Sequence, residues 1–507
     1  MNRIKHIIGS LLIAIPVAMM FMGCEKFLDR KPLTATLDDL NQGGLEGQVY
    51  GLYGAIRNGD VAGQGFGGIP WLAMNGFRAD DSEKGSSSAD GADWGVIYDQ
   101  FQYVKDHWSS TTYWDQHYVL IGQANTALQL ADSLQLTDEA SLKNIGEAKF
   151  FRAFAYFDLV RAFGEVPKID FRVYNPSDAR KPKAKVEEIY ALIDEDLTDA
   201  IAKLPPSWPA KYIGRLTRNA AQALHAKTML YRENWSGTLG LCQQVILSGK
   251  YKLLDDYATN FKEAGENSNE SIWEIQAYIG PNNTDNYFSW YGIAQGVRGS
   301  GDWDLGWGWN TPTQSLVDAL YTDTVGNKPA VRLAATVQAS GQPDGYGKTL
   351  PASVFDVPSG PLPRKYWNRK VYPEPSMQAS TSNRQAGWVN QRELRYADVL
   401  LMAAEAANEL GGAGNVTLAE KYLNDVRKRA GLANVAFTDK VQMRTAMKNE
   451  RRKELAMEGE RFYDLVRWKD AELVLGSAGY TPCHKYYPIP QSAIDFSGGV
   501  LVQNPCW

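Results

Sequence analysis

Apolar residues recur every three or four positions in two separate parts of the chain, a period typical of amphipathic helices. In the first part this pattern predicts helices over residues 124–134, 147–163, 186–204 and 217–231. Two neighbouring faces of the 147–163 segment are apolar, so we expect that helix to be buried on two sides. Gly164 and Pro167 follow it as helix-ending residues.

The second part starts near Gln391, where the stripe consists of Tyr396, Leu400, Ala403, Ala407 and Leu410. Thr417 and Glu420 have the spacing of a capping box, which predicts a further helix that ends at Gly431. Gly411, Gly412 and Gly414 are expected to form the turn between the two helices. Helix pairs joined by short turns are the tetratricopeptide plan. The sequence therefore predicts a mainly α protein with a tetratricopeptide-like scaffold over about residues 117–260 and 391–475.

Residues 60–114 and 265–390 have a different character, because Gly, Asn, Ser, Asp and aromatic residues are frequent there. Such composition predicts irregular loops and short strands inserted in the scaffold. Loops held by a rigid scaffold are where binding groups usually lie. We therefore expect the ligand side of the protein to be built from these two stretches.

The N-terminus carries Arg3 and Lys5 and then a run from residue 7 to residue 22 without a formal charge. A membrane-spanning helix needs about 20 apolar residues, and this run is shorter and is interrupted by Pro16. The pattern predicts a signal peptide over residues 1–23. A single membrane anchor is the competing interpretation.

Composition narrows the classes of partner. The formal net charge is −5 and the sequence has no Lys/Arg-rich block, which argues against nucleic acid. Aromatic residues make up 11% of the chain, with 15 Trp. Aromatic faces suit sugar binding, although most Trp residues in proteins serve packing. Length alone is compatible with one extended domain or with two or three small ones.

The cysteines other than Cys24 permit one disulfide. Cys483 and Cys506 can pair in an oxidising compartment, but spacing alone does not establish the bond. Cys242 lies in an apolar helical stretch, so we expect a buried, inert thiol.

Motifs for catalysis are scarce. The sequence has neither the His-Glu-x-x-His nor the Gly-x-Ser-x-Gly pattern. Residues 63–68 (GQGFGG) match the dinucleotide pattern, but no predicted strand precedes them and Pro70 follows, so we interpret them as a flexible loop. A glycoside hydrolase needs only two carboxylates, so that class stays open. We predict no enzyme, no cofactor and no metal site.

Several segments together resemble the SusD/RagB family of outer-membrane lipoproteins. They are residues 147–164 (EAKFFRAFAYFDLVRAFG), 215–217 (RLT), 394–405 (LRYADVLLMAAE), 423–432 (LNDVRKRAGL), 450–468 (ERRKELAMEGERFYDLVRW), 487–490 (YPIP) and 504–505 (NP). The likeness covers nearly all of the chain after the signal peptide. The charges of the 450–468 segment, with Glu450/Lys453 and Asp464/Arg467 at i, i+3 spacing, are expected to form helix-surface pairs.

The resemblance implies a SusD-like helical scaffold that lies as a lid on a SusC-like TonB-dependent porin and captures oligosaccharides, or peptides in some branches, without catalysis. Residues 21–24 (FMGC) resemble a bacterial lipobox, with Phe21 departing from the usual aliphatic residue. We therefore expect Cys24 to be lipidated, for example with palmitate, residues 24–36 to be a tether at the exterior of the outer membrane, and residues 37–507 to form a single domain.

Two loop clusters supply the candidate ligand-binding residues. The first contains Arg78, Asp80, Asp81 and Trp94, where Trp94 can instead be a core anchor and the aspartates can be turn residues. The second contains Tyr287, Trp290, Tyr291, Asp302 and Trp303. Trp303 is the preferred stacking residue, whereas Trp307 and Trp309 are expected to be structural. Asp302 and Asp304 provide too few oxygens for calcium. Arg364, Tyr366 and Trp367 are a third, weaker cluster.

Overall fold

A computed structural model describes residues 43–60, 62–86, 90–278, 288–352, 356–357, 360–361, 366–373 and 387–507. The predicted signal peptide, Cys24, the predicted tether, Tyr287 and Arg364 lie outside the described residues. The chain divides into two units, Met1–Gln48 and Val49–Trp507. Apart from the start of the first helix, the features below belong to the second unit.

Helices dominate the described secondary structure. The longer ones are α1 (Gly44–Ala55), α2 (Trp108–Ser133), α3 (Glu139–Phe163), α4 (Val186–Lys203), α5 (Arg218–Leu230), α6 (Trp235–Leu247), α7 (Gln314–Tyr321), α8 (Tyr396–Leu410), α9 (Ala413–Arg429), α10 (Lys440–Glu454) and α11 (Arg461–Arg467). Shorter helices lie at Ile69–Trp71, Ala92–Trp94, Trp290–Gln295, Val331–Thr336, Ala471–Leu475 and Gln491–Phe496. The mainly α fold is confirmed.

Capping side chains and a glycine mark the ends of several helices, and α3 begins at Glu139, before its predicted start at residue 147. Asp138 accepts a hydrogen bond from Ser141 N at 3.0 Å at the start of α3, and Thr217 accepts one from Ala220 N at 3.3 Å at the start of α5. Gly164 follows α3 with φ +77°. Helix α2 begins earlier than its predicted part, because the His107 side chain caps it by accepting from Ser109 N.

The predicted capping box at Thr417 is wrong. Helix α9 already starts at Ala413 after Gly412, whose φ of +82° ends the preceding turn. Thr417 lies inside the helix and donates to Ala413 O at 3.1 Å, while Glu420 accepts from Phe437 N at 2.8 Å. The glycine-rich turn itself permitted an earlier start than the motif suggested.

Consecutive helices pack in pairs, α2 with α3, α3 with α4, α5 with α6 and α8 with α9. Helix α6 also packs on α8, which joins the two helical parts of the sequence. Every residue from Phe150 to Val160 is buried, so α3 is covered on more than one side as predicted. None of the described helices combines the length and the apolar character that crossing a membrane requires.

Short antiparallel ribbons connect the inserted segments. The strands are β1 (Ser82–Lys84), β2 (Val166–Pro167), β3 (Lys183–Ala184), β4 (Ser271–Ile275), β5 (Asn310–Pro312), β6 (Thr324–Val325), β7 (Lys328–Pro329), β8 (Val337–Ala339), β9 (Asp356–Val357), β10 (Gly360–Pro361), β11 (Tyr366–Asn368) and β12 (Gln391–Arg395). They pair as β1 with β5, β2 with β3, β4 with β12, β6 with β7, β8 with β11 and β9 with β10.

A buried charge network, defined as Arg332, Arg395, Arg429, Glu270, Glu450 and Glu454, links α9 and α10 to the β4–β12 ribbon. Glu454 accepts from Arg332 Nε at 3.0 Å and from Arg395 Nη1 at 3.1 Å, and it also pairs with Arg429. The guanidinium groups hold the pKa of Glu454 far below its usual range, although burial alone would raise it. All six side chains are almost completely buried.

This network corrects one of the predicted pairs in the 450–468 segment. Glu450 pairs with Arg332 and Arg427, and Lys453 pairs with Asp323, so these two residues do not pair with each other. Asp464 and Arg467 do pair, at 2.8 Å. The charges therefore serve tertiary contacts across the core more than the surface of one helix.

The remaining cysteines are settled by the structure. Cys483 and Cys506 form a disulfide, and Cys242 is a buried free thiol whose pKa is raised by burial. The disulfide closes the C-terminal segment on itself. The expectation of a buried Cys242 is confirmed.

Candidate functional site

The β1–β5 ribbon joins the two loop regions that the sequence proposed for the ligand side. Its register sets Ser82 opposite Pro312 and Lys84 opposite Asn310. Gly85 continues the ribbon by donating to Trp309 O at 3.0 Å. A side chain at Gly85 would lie 2.1 Å from Gly308 O, so glycine is needed for this approach. Segments more than 200 residues apart are thereby held side by side.

Six aromatic side chains form a continuous row beside this ribbon, which we call the aromatic strip. Its members in spatial order are Phe288, Trp290, Trp307, Trp309, Trp94 and Trp108. Successive ring centroids are 6.4, 5.9, 4.5, 5.2 and 5.9 Å apart. Trp108 is 38% exposed and Phe288, Trp290 and Trp307 are half-buried, whereas Trp94 and Trp309 are buried. The strip offers apolar ring surface on a fixed base.

Polar groups lie directly against the middle of the strip. Asp90 Oδ2 accepts from Trp309 Nε1 and from Ser86 Oγ, each at 2.9 Å, and also pairs with Arg298. Arg298 and Asp90 are both about one third exposed. Within the described residues, Asp90 Oδ1 and the Nε and Nη2 groups of Arg298 have no hydrogen-bond partner. The site thus combines aromatic faces with an accessible acceptor and accessible donors.

The electrostatics of these groups suit hydrogen bonding more than proton transfer. Burial alone would raise the pKa of Asp90, but hydrogen bonds from Trp309 and Ser86 and the Arg298 charge hold it below the usual value. Asp90 is therefore an ionised acceptor. His107, beside Trp108, has its pKa lowered by burial, and its Nε2 lies 3.1 Å from Asp93 Oδ2.

Arg78, Asp80 and Asp81 take structural positions. Arg78 is fully buried, donates to Met74 O at 3.0 Å through Nε, and stacks at 4.1 Å on the Phe462 ring. Asp80 pairs with Arg461 at 2.7 Å and Asp81 pairs with Arg452 at 2.7 Å. The two carboxylates hold this loop to α10 and α11. We therefore remove these three residues from the proposed ligand contacts.

Trp94, Trp290 and Tyr291 are brought near one another but differ in access. Trp94 is only 7% exposed, because it is wedged between Trp108 and Trp309. Trp290 is half-buried and donates through Nε1 to Gly59 O at 2.7 Å, which fixes its ring. Tyr291 turns away from the strip, with its hydroxyl 3.4 Å from Met457 O and its ring against Trp71.

Trp303 and Asp302 lie on a neighbouring turn. Trp303 is half-buried and packs against an apolar cluster that contains Val297, Leu305 and the buried Trp367. Asp302 is exposed and pairs with Lys348 at 2.7 Å. In the described part of the chain Trp303 makes no ring contact with the aromatic strip. The structure therefore separates it from Trp94 instead of placing both in one row.

Four of these residues were not among the candidates from the sequence, namely Trp108, Phe288, Arg298 and Asp90, and Trp307 was expected to be structural. A signal for Trp108 existed, since it directly follows the loop that carries Trp94. No sequence signal pairs Arg298 with Asp90, because only the β1–β5 ribbon brings them together. The three-dimensional arrangement moves the centre of the candidate site from Trp303 to Trp307 and Trp309.

Other chemistries receive little support from the geometry. Across the ranges that the structure describes, no group of three or more His, Cys, Asp or Glu residues could hold a metal ion. Residues 63–68 form tight turns in which Gln64 Oε1 accepts from Phe66 N at 3.1 Å and Gly68 N at 2.9 Å. A short helix does follow at Ile69, contrary to expectation, with Pro70 inside its first turn. Within the described residues 43–60 and 62–68, no strand precedes these turns as a dinucleotide site would require.

Two family models match the chain. The model described as the SusD family matches residues 346–482, and the model described as starch-binding associating with outer membrane matches residues 68–230. Trp94 and Trp108 lie inside the second match. Phe288, Trp290, Trp307 and Trp309 lie between the two matches, so four of the six strip residues belong to neither of the matched segments.

Individual relatives cover most of the chain. SusD-like protein P25 of Formosa agariphila is 26% identical over 91% of this chain and 90% of that protein. A SusD superfamily protein from Bacteroides vulgatus ATCC 8482 superposes with a TM-score of 0.76 at 24% identity, covering 92% of this chain and 99% of the other. A laminarin-binding SusD-like protein superposes with a TM-score of 0.75 at 26% identity and the same coverage.

Proposed function

This chain belongs to the SusD/RagB family, and we propose that it captures oligosaccharides at the cell surface and passes them to a SusC-like TonB-dependent porin. The aromatic strip with Asp90 and Arg298 beside it is the observation that carries the proposal. A sugar ring has an apolar face that can stack on Trp and hydroxyl groups that need donors and acceptors. Both kinds of partner converge here from held positions.

The relatives support a glycan as the ligand class. One model that matches this chain is described as starch-binding, and one similar solved protein is a laminarin-binding protein. Both laminarin and starch are neutral glucans, and the accessible polar groups of the strip include one acid and one base. A neutral glycan is therefore the first ligand to test.

We propose Trp307, Trp108 and Trp290 as the stacking residues, with Arg298 and Asp90 holding hydroxyl groups. Trp94 acts from below by keeping Trp108 and Trp309 apart. Trp303 stays in the proposal as a contact at the edge, because its half-buried ring lies on the turn that follows Arg298.

Binding without catalysis fits this site. A glycoside hydrolase requires a carboxylic acid with a raised pKa as the proton donor, whereas Asp90 has a lowered pKa. Members of the family are binding proteins. The enzyme alternative predicts that a bound polysaccharide releases sugar on prolonged incubation, and the absence of product would remove it.

The first experiment measures binding of the full chain to soluble laminarin, starch and other neutral glycans by calorimetry. Trp307→Ala and Trp108→Ala should each weaken binding about three- to tenfold, since each removes one aromatic contact. Tyr174→Ala is the matched control, because Tyr174 is 64% exposed and bonds to Gln129, about 30 Å along α2 from Trp108. No glycan bound, or equal losses in all three variants, would refute the site. Binding to a protein digest alone would favour peptide capture.

The anchoring proposal rests on Cys24, which precedes the described residues. Several acyl chains on one cysteine would hold the chain stably at the membrane, since one chain alone is marginal. Cys24→Ala should move the chain from the outer-membrane fraction to the soluble fraction. Retention of the variant would mean that the porin or another partner holds it.

The porin partner is tested by purification of the tagged chain from outer membranes. A TonB-dependent receptor that copurifies, and that is lost only with disruption of the complex, supports the lid role. Its absence under conditions that preserve membrane complexes would contradict the transfer step while leaving glycan binding to be judged by calorimetry.

A further inference from the structure

A cavity that is separate from the aromatic strip lies among the helices. Its volume is about 600 Å³, within the range of roughly 300 to 1,000 Å³ that small-molecule sites occupy. Helices α3, α4 and α11, the end of α5 and the C-terminal segment supply its walls. None of the six residues of the strip lines it.

The floor of this cavity is Arg161, which is nine-tenths buried. Its guanidinium carbon lies 4.4 Å from the centre of the Tyr463 ring and 5.0 Å from that of Phe157. One N–H of Nη2 donates to Asp158 Oδ1 at 2.6 Å, whereas Nε has no hydrogen-bond partner in the part of the chain that the structure describes. A guanidinium has five N–H donors. Most of the N–H groups of Arg161 therefore have no acceptor among the described residues.

The carboxylate that pairs with Arg161 is shared with a second residue. Its partner Asp158 is shared with His117, whose Nε2 lies 3.0 Å from Asp158 Oδ2. His117 Nδ1 lies 2.6 Å from Tyr113 O, so both ring nitrogens of His117 lie within hydrogen-bond distance of an oxygen. Arg161 and His117 hold the pKa of Asp158 below its usual value, although burial alone would raise it. The Asp158 carboxylate is thus shared between Arg161 and His117.

Tyrosine side chains surround the space above Arg161. The hydroxyl groups of Tyr190 and Tyr486 have no hydrogen-bond partner among the described residues, and both side chains line the cavity. Charges at the mouth are mixed, because the exposed Lys469 and Lys485 face the exposed Glu187, Glu233 and Glu472. The mouth therefore does not favour one sign of charge, and Arg161 at the floor determines which charge the cavity prefers in a ligand.

The wall formed by the C-terminal segment is held in place. The Cys483–Cys506 disulfide closes this segment, and Tyr487 N donates to Ala162 O at 2.8 Å. Gly164 has φ +77°, and a side chain there would lie 3.0 Å from the Tyr486 ring. The ring therefore packs against the end of α3 only because the residue is glycine. Such a fixed wall is a feature of a preformed site.

We propose that this cavity binds an acidic saccharide of one or two residues, whose carboxylate or sulfate ester is held by Arg161 and whose hydroxyl groups bond to Tyr190 and Tyr486. A guanidinium binds planar or tetrahedral oxyanions with charge-assisted hydrogen bonds. Tyrosine rings supply apolar faces for the sugar ring. This site is independent of the neutral-glycan site on the strip.

The test titrates the full chain with D-galacturonate, D-galactose 6-sulfate and D-galactose, followed by calorimetry. At least one acid should bind about tenfold or more tightly than galactose, which corresponds to one charge-assisted hydrogen bond. The two acids separate a carboxylate from a sulfate ester. Failure of both acids to bind, or equal binding of galactose, would overturn the proposal.

Variants locate the binding. Tyr190→Phe and Tyr486→Phe each remove a hydroxyl that has no hydrogen-bond partner among the described residues, so folding should be unaffected while acid binding weakens several-fold. Tyr321→Phe makes the same change at a 51% exposed tyrosine outside the cavity and should have no effect. Arg161→Gln should remove the preference for acids, and the hydroxyl variants decide the question if that variant does not fold. Acid binding that survives Tyr190→Phe and Tyr486→Phe unchanged would refute the site.

A strip variant separates this proposal from the proposed function. Trp307→Ala should weaken neutral-glycan binding and leave acid binding unchanged. Loss of both ligands in Trp307→Ala would show that the acid binds at the strip, which would refute the second site.

Discussion

Replacement of Glu454 by Gln tests the buried charge network most directly. The single carboxylate of Glu454 accepts hydrogen bonds from three guanidinium groups, those of Arg332, Arg395 and Arg429. All four side chains are fully or almost fully buried. The variant keeps the shape but loses the charge. Its amide NH₂ also faces groups that can only donate.

The expected cost follows from the remaining partners. Breaking a buried ion pair costs about 3 to 5 kcal/mol when a charge is left without a partner. Here Arg332 keeps Glu450, and Arg395 and Arg429 keep Glu270. No arginine is left alone, so we expect the lower end, about 3 kcal/mol in the free energy of unfolding.

Urea denaturation followed by tryptophan fluorescence at pH 7 measures this loss. Asp425→Asn is the matched control, because it removes the same charge from the exposed Lys421–Asp425 pair. Exposed pairs of this type contribute about 0.5 kcal/mol or less. A Glu454→Gln variant within about 1 kcal/mol of the wild type, or a control that loses as much, would refute the assignment of this network as a stabilising core.

Three further predictions concern the C-terminal disulfide, the pH dependence of stability and the β1–β5 ribbon beside the aromatic strip. The double variant Cys483→Ser/Cys506→Ser should lose about 3 kcal/mol in the free energy of unfolding, because the bond closes a loop with a sequence separation of 23; an unchanged urea midpoint under matched conditions would contradict this. Burial raises the pKa of Glu266 to about 7 in the folded protein, from 4.5 in the unfolded chain. The stabilisation that protonated Glu266 provides is therefore complete below pH 4.5 and is lost as pH rises through 7. Between pH 8 and pH 5, the free energy of unfolding of the wild type should therefore rise by about 2 kcal/mol relative to that of Glu266→Gln. Parallel pH profiles of unfolding for the two proteins would show that Glu266 is not responsible. Gly85→Ala should reduce neutral-glycan binding several-fold by separating the backbone from Gly308, whereas Gly122→Ala, with open space around it, should bind as the wild type does.

The helical scaffold was predictable from the sequence because its signals are local. Apolar spacing over residues 147–163 and 186–204 and the stop at Gly164 depend only on neighbours along the chain. The family resemblance likewise follows from contiguous motifs. The capping box at Thr417 shows the limit of local reasoning, since the adjacent glycines allowed the helix to begin one turn earlier.

The residues of the candidate site could not be predicted from local sequence, because distant segments of the chain form it together. Antiparallel pairing of β1 with β5 joins segments more than 200 residues apart, and nothing local specifies that register. Burial then separated residues of the same type, since Arg78 is inside the core and Arg298 is accessible. From the sequence alone, one can predict a mainly α fold with aromatic loops and a resemblance to a family of binding proteins. Which aromatic rings form one surface, and which charges remain accessible beside it, was decided only by how distant segments pack.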